Sequence, residues 1–83
     1  MMKISLIALA GILVASPAFA WRDATADERA SIEKALAAQG CSGGVMNFDD
    51  DKNRFEVHDA RCDGRNMEIY LNSSFQITRM TRD

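Results

Sequence analysis

The chain has 83 residues, of which 47% are hydrophobic, and its 10 basic and 12 acidic residues give a formal net charge of −2 at pH 7. A chain of this length has room for one small domain. Its mild acidity gives no electrostatic footprint for nucleic acid and argues against binding to anionic membrane surfaces. The two cysteines and one histidine provide neither a C-x-x-C motif nor a second ligand pair at zinc spacing.

The N-terminal stretch MMKISLIALAGILVASPAFA has the three parts of a secretory signal peptide. Lys3 precedes an apolar run from Ile4 to Ala15, and a small-residue cleavage pattern ends at Ala20. The apolar run is shorter than the ~20 residues that cross a bilayer as a helix. We therefore expect cleavage after Ala20, a periplasmic or secreted protein without stable membrane insertion, and a single domain over residues 21–83.

The segment TADERASIEKALAAQG predicts a helix with both ends marked. Thr25 followed three residues later by Glu28 forms a capping box, and Gly40 is a typical helix stop. Ile32 and Leu36 lie on one narrow, alanine-rich stripe. The helix should therefore lie close against a sheet.

After Gly43 the period of the apolar residues changes to two. The runs MNF, FEV, MEIYL and FQITRM predict half-buried strands, and DDDKN, DG and NSS between them are turn sequences. Asp63-Gly64 is among the stronger hairpin signals, because a type I′ turn needs positive φ at both central residues. The connections are too short for parallel crossovers. The predicted fold is α+β, with one N-terminal helix packed on one face of a four-stranded antiparallel meander sheet. The predicted core comprises Ile32, Leu36, Met46, Phe48, Phe55, Val57, Met67, Ile69, Leu71 and Ile77.

Cys41 and Cys62 are predicted to form a structural disulfide, because an exported chain enters an oxidising compartment. A loop of about twenty residues gives roughly 3 kcal/mol in the chain-entropy model, a large share of what so small a domain has. Counting by two from Val57, however, turns Cys62 away from the core. We therefore predict a β-bulge near His58 to Ala60, or an early exit from the ladder, that turns Cys62 inward.

The acidic turn invites a calcium interpretation. Asp49, Asp51 and Asn53 have the one-three-five spacing of an EF-hand loop. Position six would be Arg54 instead of glycine, and position twelve would be Ala60 instead of glutamate. A polar turn between two strands explains the same residues, and we predict no metal site.

The sequence gives little support to catalysis. His58 is the only histidine and lies on a predicted outward face without zinc-type partners. No serine is marked as activated by a base. Glu56 and Glu68 could approach each other across neighbouring strands, but no cleft is evident to raise the pKa of either. We predict a protein that is not an enzyme and that needs no cofactor.

The sheet face that the helix leaves uncovered carries the candidate partner surface. Tyr70 and Met80 could anchor a protein partner, since aromatic residues and methionine are enriched at interfaces. Glu56, His58 and Glu68 are predicted to lie on the same face. The alternative is an ordinary solvated face, and the last strand offers another docking edge through backbone pairing.

Trp21 is the only tryptophan of the chain. A large ring at the start of the mature domain either packs over the end of the core or offers a contact point. We expect it to pack over the core.

One capped helix followed by MNFDDDKNRFEVHDARCDGRNMEIYLNSSFQITR resembles the PepSY-type domain, and in particular the small exported bacterial proteins that consist of one such domain. The resemblance runs from about Ala24 to Asp83. The family often has a glycine-containing turn before its last strand, where this chain has Asn72-Ser73-Ser74. The cysteines resemble a feature of a subset of the family.

The resemblance implies protein binding and no catalytic residue. PepSY domains occur in the propeptides of secreted metallopeptidases and in other bacterial envelope proteins, where they are thought to restrain peptidases. The expected function is thus an exported, non-catalytic protein-binding module that modulates a peptidase or another envelope protein. The alternatives are a small calcium-responsive envelope protein and an uncharacterised hydrolase.

Overall fold

The computed structural model describes residues 21–82, so the predicted signal peptide and its cleavage site lie outside the described residues. These residues form one helix and one antiparallel sheet of six strands. The elements are β1 (Trp21–Asp23), α1 (Ala26–Ala37), β2 (Cys41–Ser42), β3 (Val45–Asp49), β4 (Arg54–Cys62), β5 (Arg65–Asn72) and β6 (Ile77–Arg82). The strand order in the sheet is β1-β3-β4-β5-β6, with β2 beside β4.

The α+β class, the single helix and the antiparallel sheet confirm the prediction, whereas the four-strand count and the N-terminal position of the helix are wrong. Strand β1 precedes α1 and pairs with the edge of β3. Its three residues WRD are too few and too polar to show an alternating pattern. Strands β2 and β3 both pair with β4, one after the other along its length, and Gly43-Gly44 separates β2 from β3.

The start of α1 is a capping box, as predicted. The Thr25 hydroxyl oxygen accepts a hydrogen bond from the Glu28 amide at 3.2 Å, and the Glu28 carboxylate accepts one from the Thr25 amide at 2.9 Å. The Arg22 guanidinium donates two further hydrogen bonds to the same carboxylate, at 2.8 and 3.0 Å. Glu28 therefore joins β1 to the first turn of the helix.

These hydrogen bonds predict a pH dependence of stability. The bonds from Arg22, and then the one from the Thr25 amide, lower the pKa of Glu28 from 4.5 to about 2. A carboxyl group whose pKa is lowered by folding stabilises the fold at pH values above its pKa in the unfolded chain. This contribution is lost as the pH falls toward its pKa in the folded protein. We expect Glu28→Gln to cost about 1 kcal/mol of unfolding free energy at pH 6, and this cost to vanish between about pH 4.5 and 2.

Urea unfolding at a series of pH values measures this effect. The control is Glu33→Gln, an exposed residue of the same helix, which should differ from wild type by less than about 0.5 kcal/mol at pH 6. A cost of Glu28→Gln that stayed constant from pH 6 to 2 would show that its charge does not act at the helix start.

The core lies between α1 and one face of the sheet. The predicted core residues are all either buried or packed against the buried cluster. Ile32 and Leu36 from α1, and Val57, Ile69 and Leu71 from the sheet, have no exposed surface. The alternation of β3, β4 and β5 therefore does place the apolar residues on one face.

The turn before β6 differs from the predicted strand. Asn72 Oδ1 accepts hydrogen bonds from the amides of Ser74 and Gln76, and Phe75 has a φ of 64°. Phe75 therefore belongs to the turn, and β6 begins only at Ile77. Its ring stacks on Phe55 with centroids 4.9 Å apart, which closes the core at this end.

A bulge in β6 places Met80 on the side opposite to the predicted one. Tyr70 pairs with Arg79, but its neighbour Leu71 pairs with Ile77, so Thr78 is an extra residue in β6. This residue shifts the alternation, and Met80 pairs with Ile69 and packs against the core. The prediction that Met80 lies on the uncovered face is therefore wrong.

The predicted bulge in β4 is present. Val57 pairs with Ile69 and Ala60 pairs with Met67, so two residues of β4 lie opposite one residue of β5. Asp59, one of the two, has a φ of 61°, a left-handed conformation that aspartate tolerates better than most residues. The shift turns Ala60 inward, where it is buried.

The same shift turns Cys62 toward the core and opposite Cys41. The two cysteines are register partners of β2 and β4, form a disulfide, and have Cα atoms 4.2 Å apart. The predicted pairing is therefore confirmed. Beyond it, Asp63 and Gly64 have φ values of 52° and 78°, as the predicted two-residue hairpin requires.

Gly44 fits against the bulge of β4. A Cβ atom at this position would lie 2.8 Å from the His58 carbonyl oxygen, 2.8 Å from Val57 Cγ1 and 3.2 Å from the Ala60 amide nitrogen. Its φ of 98° is also one that side chains rarely adopt. Glycine is therefore required for the chain to pass from β2 into β3 beside the bulge.

Candidate functional site

The sheet has a second face, turned away from α1 and the core, which we call the outer face. Directly opposite residues of antiparallel strands share a face, so the strand register identifies its members. They are Trp21, Asp23, Ser42, Val45, Asn47, Asp49, Arg54, Glu56, His58, Arg61, Asn66, Glu68, Tyr70, Asn72, Arg79 and Thr81.

A row of polar contacts crosses the middle of the outer face. Arg54 Nε donates a hydrogen bond to Glu56 Oε2 at 3.0 Å, and the other oxygen of Glu56 lies 3.5 Å from His58 Nε2. On the other side of the imidazole ring, His58 Nδ1 lies 2.5 Å from Glu68 Oε1. One histidine therefore bridges two carboxylates on neighbouring strands.

The bulge of β4 produces the contact between His58 and Glu68. His58 and Asp59 together lie opposite the single residue Glu68 of β5. The left-handed conformation of Asp59 turns the following residue back toward the core, while His58 stays on the outer face. The feature that brings Cys62 to its partner thus also sets the position of His58.

Tyr70 is held in place by Arg54. The guanidinium carbon of Arg54 lies 4.2 Å from the centre of the Tyr70 ring, a cation–π distance. The Arg54 side chain is 30% exposed and that of Glu56 only 15% exposed. The centre of the outer face is thus partly withdrawn from water, and its side chains are ordered by their contacts.

Both large hydrophobic side chains that are exposed within residues 21–82 lie on the outer face. Val45, the register partner of His58, is 57% exposed, and Trp21, the register partner of Asp49, is 54% exposed. The prediction that Trp21 packs over the core is therefore wrong. Pairing of β1 with β3 turns the indole to the side opposite the core.

The structure brings together four of the five residues predicted for the partner surface. Glu56, His58, Glu68 and Tyr70 are neighbours on β4 and β5, whereas Met80 lies on the core side. Sequence reasoning left Arg54 and Val45 out of this surface and placed Trp21 over the core. Arg54 alternates with the buried Phe55, and Val45 alternates with the buried Met46. Strand alternation alone would therefore have placed both on the outer face.

The acidic turn uses its first aspartate to hold its own backbone. Asp49 Oδ1 accepts hydrogen bonds from the amides of Asp51 at 3.0 Å and Lys52 at 3.2 Å. Asn53, with a φ of 51°, completes the turn into β4. Within residues 21–82, no group of three His, Cys, Asp or Glu side chains could hold a metal ion. The arrangement gives the calcium alternative no support.

The contacts of His58 do not resemble a hydrolytic site. Its ring nitrogens face carboxylates, and among the described residues no hydroxyl or thiol shares a hydrogen bond with it. Both cysteines are in the disulfide. A base with an orienting carboxylate is present, but the described part of the chain places no nucleophile beside it.

Comparison with known families decides the identity of the fold. A family model described as "peptidase propeptide and YPEB domain" matches residues 4–80. The chain belongs to the PepSY family. The match begins within the segment predicted as a signal peptide, so it does not separate a leader from the PepSY domain.

The PepSY assignment confirms the family resemblance of the sequence, and it associates the chain with propeptide-like modules. Neither a curated protein nor a solved structure shows significant similarity to this PepSY protein. In the described range, the structure has no helix with the length and apolarity needed to cross a lipid bilayer.

Proposed function

We propose that this PepSY protein is a non-catalytic protein-binding module that acts in the cell envelope and uses its outer face to bind a peptidase or another envelope protein. Residues 21–83 act as the single mature domain after removal of residues 1–20. The partner surface comprises Glu56, His58, Glu68 and Tyr70 with the added residues Arg54 and Val45.

Family membership supports the choice of a protein partner. The description of the family names peptidase propeptides, and a propeptide acts by contact with a folded peptidase. Among the described residues no nucleophile lies beside His58, so protein binding explains these residues with fewer assumptions than catalysis does.

The composition of the outer face is the main observation that supports it as the partner-binding surface. An exposed apolar residue, Val45, borders an ordered group formed by Arg54, Glu56, His58 and Tyr70. Aromatic and arginine side chains are the commonest energetic anchors of interfaces. Because these contacts already exist in the free protein, a partner meets little entropic cost in ordering them.

The expected result of Tyr70→Ala is loss of partner capture. Truncation of an aromatic anchor near the centre of an interface costs about 2 kcal/mol or more, which is roughly a thirtyfold loss of affinity. Chemical crosslinking in intact cells that express the whole chain, followed by purification, measures the amount of partner held. Glu68→Lys should also reduce it, because the reversal breaks the contact with His58.

Arg29→Ala is the matched control, since it truncates a long exposed side chain on α1, away from the outer face. Circular dichroism of each variant separates loss of binding from loss of fold. Equal capture by Tyr70→Ala and wild type, with both folded, would refute the outer face as the binding surface.

A further inference from the structure

The end of the sheet that carries the Asp63-Gly64 hairpin has an open depression separate from the middle of the outer face. Its volume is about 380 Å³, and its lining residues are Arg61, Gly64, Arg65, Asn66 and Arg82. Three of the five are arginines. The depression is thus a concentration of positive charge on a chain whose net charge is −2.

Strand pairing brings these arginines to one end of the sheet, with Arg61 on the outer face and Arg65 and Arg82 on the opposite face. Arg61 pairs with Asn66 across the hairpin, Arg65 is the register partner of Cys62, and Arg82 is the partner of Met67 on the next strand. Arg61 Nη2 also donates a hydrogen bond to the Gly64 carbonyl oxygen at 3.3 Å. The disulfide at Cys62 and the tight hairpin hold the backbone that carries Arg61 and Arg65.

The three arginines have no carboxylate partner in an ion pair inside the described region. Ion pairs among residues 21–82 involve Arg22, Arg54 and His58, and none involves Arg61, Arg65 or Arg82. All three arginines are exposed. Arginine remains charged at any physiological pH, and its planar guanidinium matches the geometry of a carboxylate.

We infer that this depression binds the carboxylates of an acidic, extended segment of a protein partner. The inference names the chemistry of one partner segment and therefore rests on the proposed function. Charge complementarity selects an anionic ligand, and three arginine residues lining one depression suit a segment with several Asp or Glu side chains.

The neighbouring edge strand favours an extended peptide over a lone anion. Within residues 21–82, strand β6 has a sheet neighbour only on its β5 side, and it runs into the depression at Arg82. Its sequence ITRMTR has two arginines and no acid. Exposed strand edges bind extended segments by backbone pairing, so an acidic segment added to β6 would pass Arg79 and reach Arg82.

An anionic bilayer is the less favoured source of the same charge. The depression lies on a chain that has more acidic than basic residues, and Asp59 and Asp63 are exposed on the same end of β4 and the hairpin. The flat surface of an anionic bilayer would contact these carboxylates as well as the arginines and would be repelled by them. A narrow, extended peptide would contact the arginines alone.

The test is fluorescence anisotropy with a labelled peptide of alternating Glu and Thr, titrated with protein from cells that express the whole chain. We expect saturable binding that weakens about tenfold in the double variant Arg65→Gln/Arg82→Gln. The matched control Arg29→Gln/Lys34→Gln removes the same charge from α1 and should weaken binding less than about twofold. A Gln-Thr peptide of equal length should not bind.

Equal weakening by the two double variants would mean that only net charge matters, and would overturn the inference. So would absence of binding, or binding of inorganic phosphate or phosphatidylglycerol vesicles in preference to the peptide. Partner capture tests the proposed function independently of the peptide. If Tyr70→Ala keeps full capture of the partner, the outer face is refuted. If peptide binding then still depends on the arginines, the arginine site stands. Failure of peptide binding with Tyr70-dependent capture intact rejects the arginine site alone.

Discussion

Gly44→Ala should lower the free energy of unfolding by about 3 kcal/mol, of which strained backbone and overpacking each supply a part. The new methyl group would lie 2.8 Å from the backbone oxygen of His58 and 2.8 Å from Val57 Cγ1, at a φ of 98°. The backbone of the bulge cannot move away without breaking the pairing of β4 with β5. Urea unfolding of oxidised protein measures the loss.

Gly43→Ala is the control for this prediction. Gly43 also has a positive φ, of 74°, but a Cβ atom there has no other atom within 4 Å. Gly43→Ala should therefore lower the free energy of unfolding only through backbone strain, by about 1 to 2 kcal/mol. Equal losses for the two variants would show that Gly44 does not serve the close approach to the bulge.

Removal of the disulfide should have an effect of similar size. The bond joins residues with a sequence separation of 21, and closure of such a loop in the unfolded chain is worth about 3 kcal/mol. We expect the double variant Cys41→Ala/Cys62→Ala to lose this amount in urea unfolding. Because native stabilities are themselves only about 5 to 15 kcal/mol, the variant would be close to its unfolding threshold.

A reducing agent provides the control for the disulfide. It should destabilise the wild type to the level of the double variant and leave the double variant unchanged. Mass spectrometry of the intact wild type should show a gain of two hydrogens on reduction. Free thiols in freshly isolated protein, or a double variant as stable as wild type, would contradict a structural role of the bond.

Local sequence rules predicted the features that short segments determine. Thr25 and Glu28 form the helix cap by themselves, and Asp63-Gly64 forms its turn from the conformational preferences of two residues. The bulge was predictable because Cys62 would otherwise have faced away from Cys41. That constraint is non-local, but the need for a disulfide made it visible in the sequence.

Features that depend on distant pairing were not predictable. β1 is a strand because the edge of β3 is free to accept it, and its own three residues carry no pattern. The extra residue in β6 has no marker comparable to a cysteine, so the inward position of Met80 could not be read from FQITRM. Phe75 has the apolar character of a strand residue, but Asn72 holds the backbone before it in a turn.

The candidate site was only partly predictable, because some of its contacts follow from strand alternation and others from distant pairing. Alternation alone placed Glu56, His58 and Tyr70 on the outer face. The close contact of His58 with Glu68 depends on the bulge, and the cover of Tyr70 by Arg54 depends on side-chain conformation. The bulge thus links stability to function, since it directs Cys62 to the disulfide and His58 to the proposed partner surface.

The most direct test of the protein-binding function is site-specific photocrosslinking in intact cells. A photoreactive amino acid in place of Val45, which is 57% exposed on the outer face, should form a discrete adduct with one envelope protein. The same amino acid in place of Glu33, exposed on α1, should not. Identical adducts from both positions, or none from Val45, would contradict binding through the outer face.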